Sequence, residues 1–95
     1  MVKRVAIKIG SNVLTLPEGG LDLRRIEMLV HQVSTLHKAG IEVILISSGA
    51  VAAGRAMLPD NKLDAVSARQ LFSAVGQAKL INHYYEFFKE QGIFC

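Results

Sequence analysis

The chain has 95 residues and is at most one domain, and its hydrophobic content of 51% is enough for a folded core, which argues against a disordered segment. The net charge is +3, but the 11 basic residues form no dense run, so no nucleic-acid-binding surface is predicted. The single cysteine allows no internal disulfide, and neither a signal peptide nor an apolar run of ~20 residues that could span a membrane is visible, so we expect a cytoplasmic protein.

The first two predicted elements are a strand and a helix. The apolar, β-branched run Arg4–Ile9 stops at Gly10 and predicts a strand followed by a tight turn. After a loop over residues 15–20, Asp22 is the expected N-cap of a helix that ends near Lys38. The apolar positions of this helix recur at steps of three and four: Leu23, Ile26, Leu29, Val30, Val33 and Leu36.

A second strand is predicted over Ile41–Ser47, whose apolar residues do not alternate with polar ones. That pattern is typical of a strand covered on both faces in a parallel sheet. Strand, helix and strand together predict a βαβ unit with a right-handed crossover. A helix of small residues follows over Ala50–Met57, Pro59 ends it, and Asp60–Asp64 is a polar connection.

A long helix is predicted from Ser67 to Gln91. Its expected inward residues are Leu71, Phe72, Val75, Ala78, Ile81, Tyr85 and Phe88. Gly76 in its interior costs ~1 kcal/mol against alanine, so we expect another element to pack closely there. The final residues, Ile93–Cys95, read as the start of a further strand. The chain is therefore either a small two-layer α/β domain with a short tail or, as we predict, a piece of a larger α/β domain.

Two glycine-containing turns follow the two predicted strands: Gly10-Ser11-Asn12 and Ser48-Gly49-Ala50. Ligands of open α/β sheets bind at the carboxyl ends of the strands, so both turns are expected to face one crevice. Glycine lets the backbone approach a ligand closely, successive N–H groups can converge on an anion, and the second turn also opens a helix. The sequence thus predicts a phosphate held from more than one direction.

Lys8 interrupts the first strand two residues before its turn. It is either a cation that reaches the crevice and neutralises a transferring phosphoryl group or a strand-end lysine that extends into solvent. The segment Gly49–Ala56 has the two glycines of a P-loop but not its lysine and hydroxyl residue, and no G-x-G-x-x-G follows the first strand. Neither common nucleotide-binding glycine motif is therefore present.

Four stretches of the chain resemble the amino acid kinase family, and in particular its glutamate-phosphorylating members: Lys8–Thr15, Leu36–Gly40, Ser47–Arg55 and Gln70–Gln77. The resemblance implies a three-layer α/β/α fold, of which residues 1–95 are the N-terminal, incomplete part and supply the first βαβα portion. It also implies transfer of the γ-phosphoryl group of ATP, with Mg²⁺, to the side-chain carboxylate of L-glutamate, the first step of proline biosynthesis. A homo-oligomer is expected as well.

The resemblance also implies roles for individual residues. Lys8 is the expected catalytic residue and binds ATP phosphates together with Gly10, Ser11 and Gly49. Ser48, Gly49 and Ala50 are expected to bind glutamate, and no residue here is expected to bind a metal directly. Further substrate-binding and adenine-binding residues of the family have no counterpart in this chain, so we expect the chain alone to be inactive.

Two alternatives remain open from the sequence. One is an amino acid kinase that phosphorylates a different carboxylate, such as that of aspartate or N-acetylglutamate. The other is a non-catalytic module that binds an anion or dimerises. His31 and His37 are six residues apart and do not share a helix face, so they predict no metal site.

Overall fold

The described part of the chain, residues 3–58 and 64–95 of a computed structural model, contains two strands and four helices. In chain order they are β1 (Lys3–Ile9), α1 (Ser11–Leu14), α2 (Leu23–Lys38), β2 (Ile41–Ser47), α3 (Ala50–Met57) and α4 (Ala65–Glu90). The order confirms the predicted α/β class, with the short α1 as an addition. Pro59 and the predicted polar connection as far as residue 63 lie outside the described residues.

The two strands pair in parallel and in register, from Lys3 opposite Ile41 to Ile9 opposite Ser47. One face of this sheet packs against helices, because the core formed by α2 and α4 contacts residues of both strands that share that face. The other face is open in the described residues: Ile44 and Ile46 are 47% and 50% exposed. The expectation that β2 is covered on both faces is therefore wrong for this part of the chain, because α2 and α4 both lie on the same side.

The helix α2 begins and ends where its sequence signals predict. The side chain of Asp22 accepts a hydrogen bond of 3.1 Å from the backbone N–H of Arg25, which satisfies one of the free donors at the helix start. At the other end Gly40 has φ +91°, and its N–H donates to the carbonyl of His37. Local capping chemistry thus fixes both ends of the crossover helix.

The long helix α4 exists as predicted, but its inward face differs over the second half. Its buried residues follow steps of four: Phe72, Gly76, Leu80, Tyr84 and Phe88. The predicted positions Phe72 and Phe88 are confirmed, whereas Ile81 is 52% exposed and Ala78 is exposed. Apolar residues occur on several sides of this helix, so the packing partner and not the sequence pattern selects the buried side. None of the described helices is long and apolar enough to cross a membrane.

The chain after α4 forms a helix cap and not a strand. Gly92 has φ +75°, its N–H donates to the carbonyl of Lys89, and the N–H of Ile93 donates to that of Phe88. These are the two hydrogen bonds of a Schellman motif, in which a glycine adopts the left-handed conformation. The structure has no strand over Ile93–Cys95, so that prediction is wrong here, and the N–H of Ile93 serves instead to end the helix.

The helices α3 and α4 cross so closely that their backbones touch. A Cβ atom built on Gly76 would overlap the carbonyl oxygen of Ala50 and the nitrogen of Gly54 in α3. A Cβ on Gly54 would likewise overlap the backbone of Phe72 in α4. The predicted close packing at Gly76 is confirmed, and its partner is the helix that follows the second glycine turn.

The core lies between the sheet and the helices α2 and α4. Its buried members are Ile9, Leu14, Ile26, Val30, Val33, Leu80, Tyr84 and Phe88. Tyr84 is buried with a polar partner, since its hydroxyl lies 2.7 Å from the hydroxyl oxygen of Ser47 at the end of β2. The core therefore anchors the strand ends that carry the two turns.

Candidate active site

The two glycine turns lie side by side at the carboxyl ends of the strands. The backbone N–H of Ser48 donates a hydrogen bond of 3.0 Å to the carbonyl oxygen of Ile9, which joins the end of β2 to the end of β1. The turn after β1 is tighter than a simple turn, because Ser11 already begins α1 and Gly10 is its N-cap with φ −74°. The parallel sheet thus brings the two predicted ligand-binding turns to one edge.

The two glycines at this edge differ in what the fold asks of them. Gly49 has φ +115°, a conformation that other residues adopt only with strain, and it sets the angle at which α3 leaves the sheet. Gly10 has an ordinary extended backbone, and a Cβ atom there would meet nothing within 4 Å. The fold therefore explains a glycine at position 49 but not at position 10, where the exposed backbone stays open to an approaching molecule.

A cleft of about 880 Å³ opens beside the two turns. One wall is the start of α3, and the opposite wall is the loop over residues 15–20, which a bridge between Thr15 and Leu21 closes at its base. Its lining residues are Ser11, Asn12, Thr15, Leu16, Pro17, Glu18, Gly19, Gly20, Ser48, Gly49, Ala50, Val51, Ala52, Arg55, Ala56 and Arg69. The cleft is thus built from both turns, one loop and two helices.

The structure brings four of the six predicted site residues into this cleft: Ser11, Ser48, Gly49 and Ala50. Lys8 and Gly10 do not line it. Lys8 is exposed and pairs in register with Ile46, on the sheet face that the described helices leave open. The roles of all six residues stay predictions.

The lining residues without a predicted role include three with long or polar side chains: Asn12, Arg55 and Arg69. A signal for Arg55 was present, because it lies one helical turn after Val51 and Ala52, which line the same wall. Arg69 is brought there by the crossing of α3 and α4, which no local pattern reveals. The cleft therefore contains two cationic side chains that the motifs did not predict.

Polar side chains elsewhere in the structure serve the fold. Asp64, predicted to lie in a surface connection, is the N-cap of α4, and hydrogen bonds from the backbone and side chain of Ser67 lower the pKa of its carboxyl group. Burial, and secondarily the charge of Lys79, lowers the pKa of His83. Burial raises the pKa of Tyr84, against the hydrogen bond with Ser47. None of these groups lines the cleft.

Within residues 3–58 and 64–95, no group of three or more His, Cys, Asp or Glu side chains could hold a metal ion. The cleft itself offers a single carboxylate, that of Glu18. The oxygen-rich set that would hold magnesium without other help is therefore not assembled by these residues.

The matches of this sequence to known proteins agree with one another. A sequence model described as the amino acid kinase family matches residues 3–95. A glutamate 5-kinase of Bacteroides thetaiotaomicron is 62% identical over 91 residues, which are 95% of this chain and 25% of the relative. The glutamate 5-kinases of Maridesulfovibrio salexigens and Symbiobacterium thermophilum are 49% and 47% identical over 92 residues, or 24% and 35% of their lengths. The chain thus spans about a quarter to a third of the length of these relatives.

Proposed function

The chain belongs to the amino acid kinase family, and from this premise we propose that the whole protein uses ATP to phosphorylate the side-chain carboxylate of L-glutamate. The product is L-glutamyl 5-phosphate, the entry to proline biosynthesis. The observation that carries the proposal is the convergence of two glycine turns on one cleft, in a chain that is 62% identical to a protein named glutamate 5-kinase. The identity of the substrate is inferred from the names of the relatives, whereas phosphoryl transfer is inferred from the two glycine turns, whose backbone can bind phosphate.

The proposed reaction needs little acid–base chemistry. An oxygen of the side-chain carboxylate, already ionised near neutral pH, attacks the γ-phosphorus of ATP. A new P–O bond forms, the bond between the γ-phosphorus and the oxygen bridging to the β-phosphate breaks, and its electron pair leaves with ADP. Catalysis then consists of aligning the reactants and neutralising charge, which backbone N–H groups and a lysine can provide.

We assign the backbone at Gly10 and Gly49, with the hydroxyl of Ser11, to the phosphates that move. The open backbone at Gly10 supports this, because no contact inside the fold requires a glycine there. Ser48 and Ala50 would hold glutamate from the second turn. Lys8 would neutralise charge on the transferring group. The described residues form no metal cage, so magnesium is treated as part of the MgATP substrate.

The proposal extends to the architecture of the longer protein. Ile44 and Ile46 leave an apolar patch exposed on the open sheet face, which supports a further layer and hence the three-layer α/β/α arrangement of the complete domain. We propose that catalysis belongs to that complete domain and that these 95 residues alone do not turn over. We further propose that the enzyme is cytoplasmic and homo-oligomeric. Light scattering on the full-length protein tests its oligomeric state.

The test is glutamate-dependent release of ADP from MgATP, with hydroxylamine trapping the acyl phosphate. It compares this chain with a chimera in which the rest of the Bacteroides thetaiotaomicron relative follows residues 1–95. We expect only the chimera to turn over and Lys8→Ala to abolish its activity. Lys3→Ala, an exposed lysine on the same strand, is the matched control and should leave activity unchanged.

Other outcomes would redirect the assignment. Turnover with aspartate or N-acetylglutamate in place of glutamate would keep the kinase and change its substrate. Phosphate binding without turnover in the chimera would favour a non-catalytic anion-binding module. Turnover by the 95 residues alone would contradict the proposal that catalysis requires the complete domain.

A further inference from the structure

The cleft contains two arginines that form no ion pair with an acidic residue in the described part of the chain. Arg55 projects from α3 and Arg69 from α4, and both line the cleft beside the second glycine turn. Within residues 3–58 and 64–95 the only ion pair joins Arg4 to Glu42, on the strands. Two unpaired guanidinium groups on one concave surface are a ready site for an anion.

The packing around Arg55 restricts the position of its guanidinium group. Its Cζ atom lies 5.4 Å from the centroid of the Phe72 ring, and Phe72 itself is buried. Stacking on a fixed aromatic ring orients the planar guanidinium group while its edge keeps N–H donors free. Arg69 precedes Phe72 by three residues on α4 and therefore lies on the same side of that helix. The two cations thus approach the cleft from one side of the α3–α4 crossing.

The remaining charge in the cleft indicates the kind of anion. Glu18, in the opposite loop, also lines the cleft. A carboxylate there opposes a polyphosphate, whereas the head of a free amino acid carries a carboxylate and an ammonium group together. All three residues predicted to hold the substrate, Ser48, Gly49 and Ala50, line the cleft, whereas only Ser11 and Gly49 of the four predicted phosphate-binding residues do. The arginines therefore belong to the substrate side of the site.

We propose that Arg55 and Arg69 bind the carboxylate of the amino acid substrate that is not phosphorylated, which in glutamate is the α-carboxylate. This inference rests on the function proposed above and adds its specificity-determining residues. Paired N–H donors from a guanidinium match the two oxygens of a carboxylate and would fix the far end of the substrate. With that end fixed, the side-chain carboxylate is presented to the turns where the phosphoryl group arrives.

The experiment measures substrate preference in the full-length chimera. L-glutamate is compared with its α-amide, in which the α-carboxylate is replaced by a neutral amide of similar shape. We expect Arg55→Gln and Arg69→Gln each to raise the KM for glutamate about 10- to 100-fold, since a hydrogen bond to a charged group is lost. We also expect the KM for ATP to stay within about twofold and the preference for glutamate over the amide to fall toward one.

Two further variants separate recognition from folding. Arg25→Gln removes an exposed arginine of α2 outside the cleft and should leave both KM values and the preference unchanged. Arg55→Lys keeps the charge and the aliphatic packing on Phe72 but loses the paired donors, so it should retain part of the preference. Circular dichroism on each variant confirms that the fold is kept.

An unchanged preference in Arg55→Gln and Arg69→Gln would overturn the inference, as would a KM increase confined to ATP, which would move the arginines to the phosphates. If the unsubstituted chimera shows no glutamate-dependent turnover, the proposed function itself fails. The two failures are thereby distinguished by the behaviour of the unsubstituted protein.

Discussion

The contact between α3 and α4 can be tested by adding a single methyl group, in Gly76→Ala. A Cβ atom at this position would lie 2.5 Å from the nitrogen of Gly54 and closer still to the carbonyl oxygen of Ala50, whereas ordinary contact begins at 3.4 Å. The shortfall at the Gly54 nitrogen is already about 0.9 Å, and the larger overlap with the Ala50 oxygen requires the helices to separate by more than that. Because both obstacles are backbone atoms, neither can rotate away.

The size of the effect follows from two opposed contributions. Overpacking of a well-packed interior costs about 1–3 kcal/mol, and a backbone obstacle places Gly76→Ala at the upper end. Replacing a helical glycine by alanine returns about 1 kcal/mol. We therefore expect the free energy of unfolding to fall by roughly 2 kcal/mol, or the melting temperature by about 8–16 °C for a domain of this size.

The assay is urea unfolding followed by circular dichroism, with thermal melts as a second reading. The matched control is Ala74→Gly, an exposed position in the same helix, where only helix propensity changes and about 1 kcal/mol should be lost. A Gly76→Ala variant that gained about 1 kcal/mol, as propensity alone predicts, would refute the close crossing of the two helices.

Three further predictions concern the core, a helix cap and the first turn. Tyr84→Phe should lower the free energy of unfolding by about 1 kcal/mol, because it removes the hydrogen bond with Ser47. Ser47→Ala removes the same hydrogen bond, so it should cost less in the Tyr84→Phe background than in the unsubstituted protein. Additive losses in this double-mutant cycle would contradict the contact. Because its hydrogen bonds with Ser67 lower the pKa of Asp64 from 3.8, that carboxylate stabilises the fold above pH 3.8 and loses this effect as the pH falls through the lowered value. The stability difference between the unsubstituted protein and Asp64→Asn in urea titrations should therefore shrink in acid, and a constant difference would argue against the charged cap. Gly10→Ala should leave the melting temperature within about 2 °C, since its Cβ meets nothing, yet should lower turnover in the chimera; unchanged turnover would remove the phosphate role of this turn.

Much of the fold could be predicted because its signals are local. The start of α2 is determined by Asp22 and its end by Gly40, and both act on neighbouring backbone groups. The inward face of α4 could not be predicted in the same way. Leu80 and Tyr84 are buried while Ile81 is half-exposed, and only the crossing at Gly76 and the position of the sheet decide between these faces.

Part of the candidate site could likewise be predicted from local signals, and part of it depends on tertiary packing. The adjacency of the two turns could be predicted, because parallel strands place their carboxyl ends at one edge and the turns follow directly in sequence. The charges of the cleft could not, because Arg69 comes to the second turn through a helix that begins 15 residues after that turn's last residue, Ala50. Which face of the sheet Lys8 occupies likewise depends on where α2 and α4 pack, and the strand pattern alone left that undecided.

The direct backbone contact at Gly54 and Gly76 also makes α3 and α4 a single mechanical unit. With no side chains between them to change rotamer, the helices cannot slide or tilt independently without collision. The turn of Ser48, Gly49 and Ala50 leads directly into α3, so any displacement of that turn is carried along α4, a rod of 26 residues and about 39 Å. Because Leu80, Tyr84 and Phe88 fix the far half of α4 in the core, the same unit holds the turn in place at the cleft.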